Sequence, residues 1–310
     1  MKLGIHVTNF TWPDAPASIG PRLTEIAQIA DRTGFDSLSV MDHFFQIPIF
    51  GSTEDSASEP MLESASALAF LAGQTERIRL LAMVNGVTYR HPGLLIKAVT
   101  TLDVLSGGRA IFGIGAAWNE EEHLGLGVPY PPVKERFERL EETLQIAHQM
   151  WRSDASPYEG AHYQLAQPIN SPNSIQRPRP PILIGGSGEK KTLRLVAQYG
   201  DACNLFGDVD VVAGKLAVLR QHCADLGRPY DEIEKTVTTG LQLSDDGVEG
   251  TETLEQAVAR FQGFADVGIE HIMFSLPADW DPATFARYAE HLVPTVSAVE
   301  ASGETSLTRR

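Results

Sequence analysis

The 310-residue chain has little of what would mark an oxidised, membrane-bound or nucleic-acid-bound protein. Its two cysteines, Cys203 and Cys223, are too few for a disulfide framework and form no Cys-x-x-Cys pair for zinc. No apolar run reaches the ~18 residues of a membrane span, and the opening MKLGIHVTNF turns polar too soon for a signal peptide. Bases are scarce: 25 Lys and Arg stand against 40 Asp and Glu, a net charge of −15. That balance argues against nucleic acid and anionic membranes, whose phosphates need clustered cations, but leaves room for a locally basic pocket. HExxH, GxSxG and Walker motifs are missing, so zinc proteolysis, serine hydrolysis and nucleoside triphosphate chemistry have no support, and no metal is expected. What remains is a cytoplasmic protein handling a small molecule, with a homodimer left open. Its 43% apolar residues, against 21% charged, suffice for a large core.

Short apolar runs alternate with helical periodicity along the whole chain. Strands are predicted at Leu3–Val7, Ser37–Met41, Ile78–Val84, Ala110–Ile114, Ile182–Ile184, Ala202–Leu205, Thr236–Leu243 and His271–Ser275. Helices are predicted at Leu23–Arg32, Met61–Gln74, Gly93–Leu105, Val133–Trp151, Glu189–Gln198, Val211–Leu226, Leu254–Ala265 and Pro282–Val299. Repeated βα units favour a parallel sheet, and a doubly wound sheet usually stops at five or six strands. Eight units in this length predict an α/β (β/α)8 TIM barrel. No break in composition marks a second domain. The expected layout is one barrel over residues 1–301, with an insertion at about 152–181 after the fourth helix. The Pro-rich stretch Pro168–Pro181 belongs to that insertion, and residues 302–310 form a polar tail.

In such a barrel the chemistry sits at the C-terminal ends of the strands. There the chain places Asp42-His43-Phe44-Phe45 after strand two, Asn85 to Pro92 after strand three, Gly113-Ile114-Gly115-Ala116-Ala117-Trp118-Asn119 at strand four, and Gly185-Gly186-Ser187-Gly188 after strand five. The GGSG turn, leaving a strand and opening a helix, reads as an anion site made of backbone N–H groups with Ser187 as a donor. Lys190 and Lys191 beyond it read as surface. Gly113 and Gly115 lack the third glycine of a dinucleotide fingerprint, so a nicotinamide site is poorly supported; they read instead as room for a planar ring at the rim. Asp42 and His43 are candidates for acid–base work, because imidazole titrates near pH 6.5. His91 precedes Pro92 and reads as a helix anchor. His6, alternating with apolar neighbours, reads as a satisfied core histidine.

Taken together, SVMDHF (Ser39–Phe44), the segment Met83–His123 and the segment Pro180–Gly207 resemble the bacterial luciferase-like monooxygenases and flavin- or deazaflavin-dependent oxidoreductases, most closely the branch using coenzyme F420. The resemblance implies a TIM barrel with an insertion after the fourth helix. It implies His43 and Asp42 beside the ring of the cofactor, and a non-proline cis peptide within Ala82–Val84 (Ala82, Met83, Val84) backing that ring. It also implies fourth-strand cofactor contacts from Gly113, Gly115 and Asn119, and a phosphate end at Gly185, Gly186, Ser187 and Gly188. Two departures matter. Trp118 stands where the sugar-phosphate dehydrogenases of the family carry a glutamate, which counts against glucose-6-phosphate and suggests an apolar or aromatic substrate beside Trp118, Phe44 and Phe45. Ala116 stands where luciferases place an arginine for the FMN phosphate, which favours F420. The expected activity is hydride transfer between F420 and a small organic substrate. The alternatives are a reduced-FMN monooxygenase on the same fold and a cofactor-binding protein without turnover.

Overall fold

A computed structural model describes residues 1–50, 53, 55–277 and 280–300. The expected tail, 302–310, lies outside the described residues. Eight parallel strands form the barrel: β1 Lys2–Val7, β2 Ser37–Val40, β3 Arg79–Ala82, β4 Phe112–Gly115, β5 Ile182–Gly185, β6 Ala202–Leu205, β7 Glu234–Gly240 and β8 His271–Ser275. They pair in the order β3-β2-β1-β8-β7-β6-β5-β4. The ring closes between β3 and β4, where Leu80 bridges Ala110 and the two-residue extension Asn85–Gly86 pairs with Ile114 and Gly115. Five residue steps separate Leu80 from Asn85, but only four separate Ala110 from Ile114. The extra residue is absorbed as a bulge over Ala82–Val84, where the Met83–Val84 peptide is cis.

The helices are α1 Ile19–Thr33, α2 Ser64–Ala72, α3 Pro92–Leu105, α4 Glu120–Leu126, α5 Val133–Trp151, α6 Thr192–Tyr199, α7 Val209–Leu226, α8 Leu254–Asp266 and α9 Pro282–Ser297. Strand alternation explains the two apolar layers. Leu3, Ile5, Val7, Leu38, Val40, Phe112, Ile114, Ile182, Ile184, Ile272 and Phe274 point outward and are buried under the helices. Leu81, Met83, Ile111, Leu183, Ala202 and Met273 fill the middle of the barrel. Burying each such Leu, Ile or Phe stabilises the fold by roughly 1.5–3 kcal/mol. Helix ends are closed locally: Asp208 and Asp281 accept N–H groups at the starts of α7 and α9, and Thr253 with Gln256 forms a capping box on α8.

Three differences from the sequence expectation bear on function. The helix α4 was not predicted, because its seven residues are too few to display a period. Strand seven begins at Glu234 rather than Thr236 and ends at Gly240. The expected helix from Glu189 starts at Thr192, so residues 189–191 form a turn between the GGSG segment and α6. The insertion contains a small hairpin, Tyr158–Glu159 against Gln164–Leu165, before its Pro-rich stretch. That stretch is pinned by Asp103 of α3, whose carboxylate accepts the N–H groups of Ile175 (2.6 Å) and Gln176 (3.1 Å).

Candidate active site

A cavity of about 430 Å³ opens at the C-terminal mouth. Asp42, His43, Met83, Val84, Gly115, Trp118 and Gly185–Gly188 all line it, as do Tyr89, Val133, Arg136, Phe137, Thr192, Asn204 and Phe206. The sequence-predicted groups of strands two to five therefore converge on one space, but several individual roles change.

The Val84 side chain packs against the glycines of strands four and five. The bulge turns the Val84 side chain into the mouth. A Cβ on Gly115 would lie 2.8 Å from its Cγ2, and one on Gly185 would lie 2.8 Å from its Cγ1. A Cβ on Gly113 would meet the Ala82 carbonyl oxygen at 2.2 Å, and Gly113 does not line the cavity. Ala82 faces the helix layer and Asn119 caps α4, its Oδ1 3.5 Å from the Glu122 N–H. None of these three residues lines the cavity. Phe44 is also displaced: its ring stands edge-on against Tyr89 at 5.1 Å, outside the cavity lining. Trp118, 59% exposed, stays at the mouth with its ring edge-on to His43, centroids 5.5 Å apart.

Asp42 lines the cavity, yet its carboxylate is committed to the scaffold. It accepts from Ser64 Oγ (2.6 Å), the Gly86 N–H (3.0 Å) and Arg90 Nη1 (2.8 Å), tying β2 to α2 and to the loop after β3. Of the pair, His43 is the candidate for proton transfer, and its side chain lines the cavity. Its Nδ1 lies 2.8 Å from Oε2 of Glu122, a residue with no exposed surface. Glu122 belongs to the unpredicted α4 and escaped sequence reading. The signal available was Asn119-x-x-Glu122, the spacing of a helix start. Its side chain does not turn back to the cap but reaches the loop after β2. Burial works against its charge, but His43 and the N–H groups of Phe44 and Phe45 hold its pKa below the ordinary carboxylate range.

Two buried donors are left without partners in the cavity wall. They are Ser187 Oγ, in the fifth turn, and Nε of Arg136, on the first turn of α5. Arg136 is 6% exposed; its Nη1 donates to the Ala117 carbonyl at 2.5 Å, and its guanidinium lies 4.4 Å from the Tyr130 ring. An unpaired buried donor costs about 1–3 kcal/mol, so two in the lining of one cavity are available to a ligand. An arginine does line the cavity near Ala116: Arg136, supplied by α5. Gly186, at φ +115°, holds a conformation that side chains rarely adopt, and Thr192 stands beside it. Lys190 and Lys191 are exposed, as expected of surface residues, with Lys191 lying over Phe137 at 5.1 Å. His91 accepts the Gly93 N–H (3.3 Å) and so caps α3. His6 is 4% exposed, its Nδ1 2.8 Å from Ser39 Oγ, and burial pushes its pKa down to about 4. Among the described residues no cluster suits a metal ion, and no helix is long and apolar enough to cross a membrane.

The chain is thus a parallel barrel whose C-terminal mouth gathers a glycine-rich turn after the fifth strand and a histidine after the second. The chain belongs to the luciferase-like monooxygenase family, whose model matches residues 1–299. It is 26% identical to an F420-dependent glucose-6-phosphate dehydrogenase of Nakamurella multipartita, over 95% of this chain and 98% of that one. Among solved structures it resembles monooxygenase RslO1 from Streptomyces bottropensis, with a TM-score of 0.80 and 20% identity over 95% of this chain and 99% of that one. It also resembles an F420-dependent secondary alcohol dehydrogenase in complex with an F420-acetone adduct, with a TM-score of 0.80 and 15% identity over 95% and 98% of the two chains. These likenesses agree with the barrel read from the sequence.

Proposed function

We propose that the protein is an F420-dependent oxidoreductase acting on a neutral, largely apolar alcohol or ketone. The observation that carries a phosphorylated ring cofactor is that two buried donors without partners among the described residues, on Ser187 and Arg136, line the same cavity. The residues present fit such a group. Ser187, Thr192, Arg136 and the backbone of Gly185–Gly188 would hold its phosphate, while Met83 and Val84 would back its ring. A bound deazaflavin supplies the two-electron hydride chemistry. The protein orients the substrate, excludes water and moves a proton at His43. Because Arg136 and Ser187 suit an FMN phosphate equally well, the choice of F420 rests on the relatives, and an FMN-dependent monooxygenase is the second reading.

The substrate class follows from charge. Among the described residues Arg136 is the only Lys or Arg lining the cavity. Once it holds the cofactor's phosphate, no cation is left for a sugar phosphate. The rim is formed instead by Trp118, Val133 and Phe206, which are 59%, 56% and 49% exposed. Calorimetric titration with F420 and with FMN, followed by turnover of secondary alcohols against glucose-6-phosphate, tests the reading. Micromolar F420 binding with alcohol oxidation is expected. Preference for FMN, or for glucose-6-phosphate, would overturn it.

A homodimer is proposed as the assembly, and sedimentation tests it: a dimer is expected, and a monomeric wild type refutes it.

A further inference from the structure

Glu122 satisfies four donors at once. Its Oε1 accepts the backbone N–H groups of Phe44 and Phe45, the latter at 2.9 Å. Its Oε2 accepts the Tyr89 hydroxyl at 2.8 Å and faces His43 Nδ1 at 2.8 Å. An ionised carboxylate has about four lone-pair sites and donates nothing, so every one of these neighbours must donate, the imidazole included. The neutral ring of His43 therefore carries its proton on Nδ1. Nε2 is left bare, with no protein partner among the described residues, in a side chain that lines the cavity. Fully buried and with its lone pairs taken, Glu122 itself has no means of exchanging a proton with a substrate.

We propose that Glu122 is a positioning residue that fixes the tautomer and orientation of His43, making Nε2 the atom that takes the substrate hydroxyl's proton when hydride leaves the carbinol carbon and returns it in the reverse direction. The carboxylate grips the loop twice, by its backbone at Phe44 and Phe45 and by the imidazole, so ring and main chain cannot drift apart. It also pairs with the imidazolium that forms when Nε2 is protonated, which lowers the cost of accepting the proton. Tyr89 completes the arrangement as a fixed donor: burial and the Glu122 charge push its own pKa far up, so it keeps its proton. The charged and titratable groups facing His43 come from four elements: His6 on β1, Asp42 on its own loop, Tyr89 and Arg90 after β3, and Glu122 with His123 on α4. Arg90 is neutralised by Asp42 and Glu63, and His6 is held neutral by burial. Among the described residues Glu122 is the one anion in direct contact with the ring.

The role of Nε2 in turnover rests on the functional reading above, but the dyad can be tested without cofactor or substrate. Nitrogen-15 imidazole spectra of the wild-type protein should show His43 with Nδ1 protonated in its neutral form. An Nε2-protonated neutral ring would overturn the proposal with no variant needed. In Glu122→Gln the Nδ1-protonated fraction of the neutral His43 ring should fall, and Glu122→Asp should restore part of the loss. An unchanged fraction in folded Glu122→Gln would also overturn it. With F420 bound and an alcohol substrate, Glu122→Gln should lower kcat by ~10-fold or more while F420 affinity stays within about two-fold. Adding Glu122→Gln to His43→Ala should cost nothing further, because the two act as a unit. If the spectra hold and His43→Ala turns over normally, the dyad stands and the functional reading fails.

Discussion

The two ends of the barrel enclose cavities of similar size, about 430 Å³ at the C-terminal mouth and about 360 Å³ at the opposite end. Size does not tell them apart; pairing does. At the lower end Lys2 reaches Glu234 at 2.8 Å, His271 lies 3.5 Å from the same carboxylate and 3.1 Å from Ser37 Oγ, and Lys235 pairs with Glu270 at 3.1 Å. These charges neutralise one another and pin neighbouring strands. At the mouth, Asp42 is equally saturated, but among the described residues Ser187 Oγ, Arg136 Nε and His43 Nε2 have no partner. A barrel end that serves stability spends its polar groups on itself, whereas one that serves chemistry leaves some unspent.

The largest expected effect contrasts two histidines. His43→Ala should lower saturating turnover by ~100-fold or more, the usual worth of a general acid or base. His271→Ala, at the other end, should leave turnover within a few-fold and lower the melting temperature instead. Equal losses of turnover would abolish the distinction between the two ends. If His43→Ala weakens cofactor binding but turns over normally when saturated, His43 orients the ring and moves no proton.

The next effect sharpens the mouth. Arg136→Met keeps the apolar stem but removes the guanidinium, and should weaken F420 binding by ~10-fold or more, about 1.4 kcal/mol, by calorimetry. Gly186→Val should act in the same direction, because its φ of +115° excludes a β-branched side chain and the turn must rearrange. Unchanged affinity in both folded variants would mean that the fifth turn holds no anion.

The barrel was legible because each strand and helix repeats the same signal. Alternation in LGIHV even predicted that His6 would be a satisfied interior residue. The site was legible in part. Its loops could be placed, since a GGSG or a DHF after a strand must lie at the mouth, but the direction of a side chain within a loop is set by packing that no period reports. Phe44 turns to Tyr89 for this reason. Gly113 looked like room for a ligand and is room for the bulge of β3. Glu122 was hidden because α4 is under two turns long and its cap spacing suggests a side chain folded back on its own helix. Arg136 was hidden because it lies 17 residues beyond Asn119 in sequence, and only the return of α5 along the barrel brings it to the cavity.

The smallest effect on turnover is expected at Glu234, and its test is stability. Burial opposes its charge, yet His271 and Lys2 hold its pKa down to about 2. An unfolded glutamate titrates near 4.3, so between these values the unfolded chain binds the additional proton and stability rises with pH. The contribution is therefore complete above about pH 4.5 and is lost as the pH falls toward 2. With a quarter of its side chain exposed, the group should contribute about 2 kcal/mol, less than the full shift implies. Glu234→Gln should unfold at lower urea than wild type at pH 7, and the gap should narrow when the same titration is run at pH 3.5. Its kcat and its F420 affinity should match wild type. A gap that persists unchanged at pH 3.5 would mean that packing rather than charge makes Glu234 stabilising; a loss of kcat would mean that the lower end reaches the mouth through the barrel interior, along the column from His271 through Met273 to Ser275 of β8.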